Sequence, residues 1–442
     1  AAVPTSATAQ TLVFEGALLI TGEDGPPLED SVFVAENGRF IAVGKRDEIN
    51  LDPGTTRINL DGKTVVPAFI DAHSHIGYMH ELDSGPQYYT RANILDHMHR
   101  FAWYGVAASM AWGTDFGELP FQIRDETVDG LYPAAARFLT AGRGLAPADE
   151  IRPDNMRHSA WLIENQADIF PAVADLVANR VPLLKTWVDD RGGQVRKFTP
   201  AIYQAIIDEA HRSGLRVVVH ATGLQDVKSL LRAGVDGFAH MPAEVDEELM
   251  ALLAERPEVF FTLALGAPRR NVTAPWLDPV HPLLAATAPP SQLARLQARL
   301  TGMSSEARAE AQATWDKLAS GIRRLAEARV KIGVGTDGGG QQGDQFIGWT
   351  MHTEMENMVA AGMSPAQVLI AATRVSAGIV GLQHELGTVA VGKSADFVVL
   401  DANPLEDITN TRSIARVYLR GQEIPRGAMQ AAWQRAYEQS AP

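Results

Sequence analysis

The sequence predicts an α/β protein: a (β/α)8 barrel carrying a small β domain built from both chain ends. Three observations lead there. Apolar strand-like segments alternate with helical ones through the middle of the chain, eight such strands can be counted, and the two ends are β-rich without that alternation.

Residues 1–9 (AAVPTSATA) are small and polar. They read as a flexible tail or a signal remnant. Ala7-Thr8-Ala9 resembles a cleavage site, but no basic or long apolar region precedes it. Localisation stays open between cytoplasmic and exported. Segments 11–20, 31–36, 39–43 and 63–66 are β-rich and separated by the turn signals Asp24-Gly25-Pro26-Pro27 and Glu36-Asn37-Gly38. Segments 396–400 and 414–419 repeat that character at the far end.

The eight strands fall near 66–71, 106–110, 137–141, 183–188, 216–219, 237–239, 259–265 and 331–335. Thr199-Pro200 opens a helix that Gly214 stops, a second helix over 225–232 ends at Gly234, and Ser364-Pro365 opens a third to about Ile379. The expected organisation is a tail (1–9), a β domain (10–66 plus 386–425), a barrel (67–385) and a C-terminal helix or tail (426–442). Between the last two barrel strands, 266–290 is Pro-rich and irregular, either a lid or a decorated surface, and 291–329 is helical.

A chain of 442 residues fits a barrel with an accessory domain, and 46% hydrophobic residues supply an ordinary globular core. A net charge of −14 argues against nucleic acid and anionic membrane surfaces as partners. No apolar run approaches the length of a membrane span. With no Cys, disulfides, thiolate catalysis and Cys–metal sites are excluded. A small-molecule substrate is expected, and a homo-oligomer is compatible with the sequence.

The strongest chemical signal is Asp71-Ala72-His73-Ser74-His75, after the apolar stretch VVPAFI. Residues two apart on a strand share a face, so both imidazoles can hold one metal. Alone the motif is weak, since roughly a third of one His-x-His is expected by chance here. His97-Met98-His99 is the internal control: it lies in a helical pattern, where such a pair diverges, and reads as structural. His220 and His240 end two further strands, and in a barrel all strand C-termini meet at one face. Asp337, in VGTDGGG after the eighth strand, adds a carboxylate ligand and proton acceptor. Lys185 interrupts the buried strand VPLLKTWV, where an unmodified ammonium is costly. A neutral amine there could take up CO2 as a carbamate, an anion able to bridge two metals. Asp71 shares the parity of His73 and His75 and reads either as orienting a ligand or as structural.

With VVPAFIDAHSH, LLKTWVDD, VVVHATG, GFAHMP, VGTDGGG and LGTVAVGKSADFVVLDANP, the chain resembles the amidohydrolase superfamily, in order and spacing over nearly its whole length. Ala68 departs from the usual Gly after the Pro. The resemblance implies a distorted TIM barrel with a β-sandwich from both termini, and a binuclear site, usually zinc. On that pattern His73 and His75 bind one metal with Asp337, His220 and His240 bind the second, and carboxylated Lys185 bridges. It further implies hydrolysis of a C–N amide bond by a metal-bridging hydroxide, with Asp337 passing the proton to the leaving nitrogen.

Similarity is greatest to the branch of imidazolonepropionase-like proteins, metal-dependent prolidases and N-acyl amino acid or ochratoxin amidases. The expected substrate is a dipeptide or N-acyl amino acid. Arg143 and Arg191 are candidates for its carboxylate, and Tyr78 and His80 for the substrate or an oxyanion. The segment Thr186-Trp187-Val188-Asp189-Asp190 departs from the prolidase pattern. Alternatives are a mononuclear deaminase or cyclic C=N hydrolase, with Glu244 as its acid, an esterase or lactonase on the same site, and a non-catalytic scaffold.

Overall fold

The structure is a computed structural model and describes residues 11–50, 54–148, 159–190, 192–193, 195–277, 279–340 and 345–440. The tail expected over residues 1–9 and candidate Arg191 lie outside the described residues.

All eight expected barrel strands are present: Phe69–Ser74, Val106–Ala111, Arg137–Thr140, Leu183–Trp187, Arg216–His220, Gly237–Ala239, Phe260–Thr262 and Lys331–Gly333. The first three pair in parallel. The fourth to eighth also pair in parallel, in chain order. The eighth closes on the first through Ala72 N to Val334 O at 2.8 Å and Asp337 N to His73 O at 2.9 Å. Every barrel strand therefore ends on the same face.

The third strand is where the barrel departs from regularity. Its first part, Arg137–Thr140, pairs with the second strand, and the chain then turns at Gly142, which has φ +65°. It resumes as Leu145–Pro147, pairing with the fourth strand and with the additional strand Trp161–Ile163. A glycine is required at Gly144, because a Cβ there would sit 2.5 Å from the Trp187 ring.

Strands from both ends form one eight-stranded sheet. It runs Gln422–Glu423, Ile414–Leu419, Phe397–Leu400, Thr64–Pro67, Leu12–Leu19, Leu28–Glu36, Arg39–Lys45, with Thr56–Asn59 also beside Leu12–Leu19. Phe397 and Phe40 lie four strands apart, about 19 Å in a flat sheet. Their rings are 6.0 Å apart. The sheet therefore rolls over its own core of Phe14, Phe33, Phe40, Phe397 and Tyr418. Where sequence reading expected a sandwich, the described strands make this single rolled sheet. The strand Thr56–Asn59 went unread because its burial is slight and all of its residues but Ile58 are polar.

The helices follow their caps. Pro200–Arg212 begins after Thr199, Leu224–Ala233 ends at left-handed Gly234, and Ser364 with Gln367 forms a capping box ahead of Pro365–Ile370. The insertion between the last two barrel strands folds as helices Gly266–Arg270, Pro282–Ala285, Pro290–Thr301 and Ser305–Glu327, so the stretch 266–290, expected to be irregular, carries two short helices. Leu277, Leu284 and Leu296 join a cluster with Trp103, Trp349 and Trp433, so this segment packs against outer helices and the C-terminal helix Arg426–Ser440.

One buried acid ties the outer layer to the barrel mouth. Glu354, on the helix Trp349–Ala360, is fully buried and accepts from Leu265 N at 2.8 Å. Burial pushes its carboxyl up to about 8. The folded state thus retains a proton that the unfolded chain releases near the ordinary carboxylate range, and this group's contribution to stability falls as pH rises towards 8. The slope is at most about 1.4 kcal/mol per pH unit. Asp115 and Glu356, both pushed up to about 7 by burial, act in the same direction. Glu354→Gln is expected to flatten the fall in thermal midpoint between pH 5.5 and 8. A variant falling as steeply as the parent would show that Glu354 does not carry the proton.

Candidate metal centre

The first strand is fully buried and delivers His73 and His75 to the C-terminal face. His75 Nε2 lies 2.9 Å from Asp337 Oδ1, and His73 Nε2 lies 3.3 Å from the same oxygen. His73 Nε2 nevertheless makes no hydrogen bond, although it is buried. Two imidazole nitrogens and a carboxylate oxygen aimed at one small region, with a buried nitrogen left unbonded, are what a metal ligand set looks like without its ion. One ligand atom from each of His73, His75 and Asp337 falls within 4.8 Å of the others.

Two more histidines adjoin this group. The rings of His73 and His240 are 5.6 Å apart, those of His240 and His220 are 4.7 Å apart, and His240 Nε2 is 3.9 Å from Asp337 Oδ2. Lys185 is 1% exposed, its Nζ 5.0 Å from the Trp112 ring and 5.7 Å from the Trp187 ring. Its charge is felt by both His73 and His240. The structure therefore brings His73, His75, Lys185, His220, His240 and Asp337 together.

His73 and His240 shift in the direction that ligation by neutral imidazole needs. Burial, reinforced by Lys185, holds His73 well below its ordinary range. Burial, with His220 and Lys185, brings His240 down to about 3. Burial alone would raise Asp337, but His73, His75 and His240 outweigh it and hold the carboxyl well below its usual range.

Backbone geometry is held as firmly. His240 and Asp337 have φ of +72° and +55°, a left-handed conformation that costs energy in residues other than glycine. Their N–H groups are fixed by Thr262 O at 2.7 Å and His73 O at 2.9 Å. Asp71 accepts from Thr336 N at 3.0 Å, Thr336 Oγ1 at 2.7 Å and His73 N at 3.3 Å. It clamps the first strand to the loop carrying Asp337, and burial pushes its carboxyl up to about 7. At Gly335 a Cβ would meet His73 Cβ at 2.7 Å, so glycine is what lets the eighth strand pass so close.

Several partners escaped sequence reading. Thr262 Oγ1 pairs with His73 Nδ1 at 3.3 Å, Thr114 Oγ1 with His75 Nδ1 at 3.0 Å, and Asp189 Oδ2 with His220 Nε2 at 3.0 Å. Trp112 stacks on His73 with centroids 4.3 Å apart. Thr262 ends the seventh barrel strand and Thr114 lies three residues beyond the second, but a single threonine in either place carries no metal signal in the sequence.

The four candidates for substrate binding are placed differently. Tyr78 is buried, and its hydroxyl donates to the Thr114 carbonyl, so it belongs to the wall of the site. His80 is exposed and stacks on Tyr88 at 5.2 Å. Arg143 is half-buried, donates to Ser159 O at 2.7 Å and Ala160 O at 3.0 Å, and stacks over Trp161 at 4.2 Å. Arg191 lies outside the described residues. Glu244, the acid of the deaminase alternative, is 68% exposed and faces Lys317 at 3.4 Å. On the control helix, His97 is buried, with Nδ1 accepting from Gly77 N and Nε2 donating to Met79 O.

A model of the amidohydrolase family matches residues 192–424, just over half of the chain. The chain belongs to the amidohydrolase family. It is an enzyme, a hydrolase acting on carbon–nitrogen bonds, in a family that generally binds metal ions. Among curated amidohydrolase relatives, the ochratoxinase of Aspergillus niger is 25% identical over 435 residues, covering 90% of this chain and 82% of its own. The imidazolonepropionase of Symbiobacterium thermophilum is 22% identical over 414 residues, covering 86% and 85%. Among solved structures, a Xaa-Pro dipeptidase with methionine bound in its active site superposes with a TM-score of 0.74 at 21% identity, over 94% of this chain and 99% of that one. The A. niger ochratoxinase structure gives 0.72 at 19% identity, over 94% and 95%. At these identities the two structures speak for the fold, an amidohydrolase TIM barrel.

Proposed function

We propose that this amidohydrolase is a binuclear metal-dependent enzyme that cleaves a C–N amide bond in a small substrate of dipeptide or N-acyl amino acid type. The observation that carries the reading is the convergence of four histidines, Asp337 and the buried Lys185 on one barrel face, with His73 Nε2 left unbonded. His73, His75 and Asp337 would hold one ion and His220 and His240 the other, with Lys185 between them as a carbamate. In forming it, neutral Nζ adds to CO2, an N–C bond forms and one proton leaves to solvent. Two divalent ions, zinc on the family pattern, would supply Lewis-acid polarisation of the amide carbonyl and acidify water at neutral pH.

The chain itself contributes the rest. Asp337 stays ionised among three imidazoles, so it can take the proton of the attacking water and return it to the leaving nitrogen. Asp71 and the strained backbone of Asp337 and His240 fix the direction of those side chains. Arg143 is the described candidate for receiving a substrate carboxylate, and the ochratoxinase relative supports an amide substrate of this kind.

The compact group of His73, His75 and Asp337 keeps a second reading alive, a mononuclear deaminase or cyclic C=N hydrolase. The solvent-facing Glu244 counts against it. Elemental analysis of protein purified without chelator and with bicarbonate is expected to give about two metals per chain, with release of amine from an amide and dipeptide library. One metal per chain, with release of ammonia, would replace this reading with the second.

A further inference from the structure

We infer that Thr114 is a positioning residue of the metal centre, and that Tyr78 and Ser159 hold it in place. The inference rests on the metal-site reading above and extends it to residues outside the ligand set.

Thr114 lies just beyond the second barrel strand in Trp112-Gly113-Thr114-Asp115, and it is 1% exposed. Its Oγ1 meets His75 Nδ1 at 3.0 Å. His75 Nε2, on the opposite edge of the ring, faces Asp337 at 2.9 Å. An imidazole offers a lone pair at one nitrogen only when its proton sits on the other. Metal binding through Nε2 puts the proton on Nδ1, and the Thr114 hydroxyl oxygen is placed to accept it, which favours that tautomer once the ion is bound. The same contact also fixes the rotation of the ring.

Thr114 is itself clamped. Its carbonyl oxygen receives the Tyr78 hydroxyl and the Ser159 hydroxyl, the latter at 2.8 Å, which uses both lone pairs. All three residues are buried. Thr114 also forms an isolated antiparallel bridge with Arg143, whose guanidinium donates to the carbonyls of Ser159 and Ala160. Ser159 thus joins two elements of the site: its hydroxyl steadies Thr114 and its carbonyl steadies Arg143. The orientation of a ligand histidine and of the candidate carboxylate receptor are set by one connected frame.

Thr114→Val keeps the shape and removes the hydroxyl. It is expected to weaken Zn2+ binding by about 10- to 100-fold, read by competition with a chromophoric chelator on metal-stripped protein. The melting temperature of the metal-free variant should stay close to that of the parent. Thr114→Ser should restore most of the affinity, because it returns the oxygen without the methyl group. Tyr78→Phe, which removes one of the two clamps, should weaken binding less, and it serves if the Val variant does not fold. Unchanged Zn2+ affinity in Thr114→Val would overturn the inference, as would an equal loss in Thr114→Ser. A parent protein that takes up no Zn2+ would overturn the metal-site reading together with this one. A parent that binds Zn2+ and a valine variant that binds equally well would remove only the role of Thr114.

Discussion

Asp337→Asn is expected to lower kcat/KM by at least about 10³-fold, with loss of bound metal. Loss of a general acid–base residue alone accounts for roughly 10²–10⁴-fold. Here the same side chain is also a candidate ligand, 2.9 Å from His75 and 3.3 Å from His73. Asparagine keeps one oxygen but not the charge that those imidazoles hold on the carboxylate. Kinetics on whichever amide the library yields, with metal content measured on the same preparation, separate the two roles. Retained metal with lost turnover leaves Asp337 as the proton carrier, and loss of both makes it a ligand as well. A variant keeping a tenth of the parent activity would remove Asp337 from both.

Lys185→Ala should reduce bound metal and lower turnover by about 10²–10³-fold, equivalent to the several kcal/mol a metal pair supplies in charge stabilisation. The truncation opens space beside Trp112 and Trp187, against which the lysine side chain lies. A short carboxylic acid such as propionate could enter it and present two anionic oxygens where a carbamate would have stood. Partial recovery of metal and activity with added propionate is the expected signature. Lys185→Met is the control, since it fills most of the volume and should not be rescued. If the alanine variant hydrolysed the substrate normally without an added acid, Lys185 would have no bridging role.

The candidate ligand set was legible because its signal is local. A period of two along a strand, an apolar run before it and a position at the strand end can all be read without knowing the fold, and they identify His73, His75, His220 and His240. Lys185 was legible for the opposite reason, as the one charge in a run that is otherwise apolar but for Thr186. The directions of neighbouring side chains were not legible. Tyr78 and His80 follow the histidine pair within a few residues, yet one turns inward to Thr114 and the other outward onto Tyr88. Sequence distance from a site does not fix which way a loop residue points. The break in the third strand depends on Gly142 and Gly144 and on how close Trp187 packs, which is a tertiary condition. Thr114 and Thr262 carry no chemical signal as single threonines and acquire one only opposite an imidazole.

The rolled terminal sheet bears on how the chain is made. The strand Phe397–Leu400 pairs with Thr64–Pro67 on one side and Ile414–Leu419 on the other. Thr64 and Leu400 are 336 residues apart, so at roughly 5–20 residues per second the ribosome takes on the order of 15–70 s to supply the missing partner. Throughout that interval Thr64–Pro67 has an open edge on the nascent chain, with Val65 and Phe14 behind it lacking the cover of Phe397. The barrel's first strand, and with it both histidines of the pair, begins only two residues beyond Pro67. The strand carrying the candidate ligands is thus anchored to a sheet that can be completed only after Phe397–Leu400 has been made.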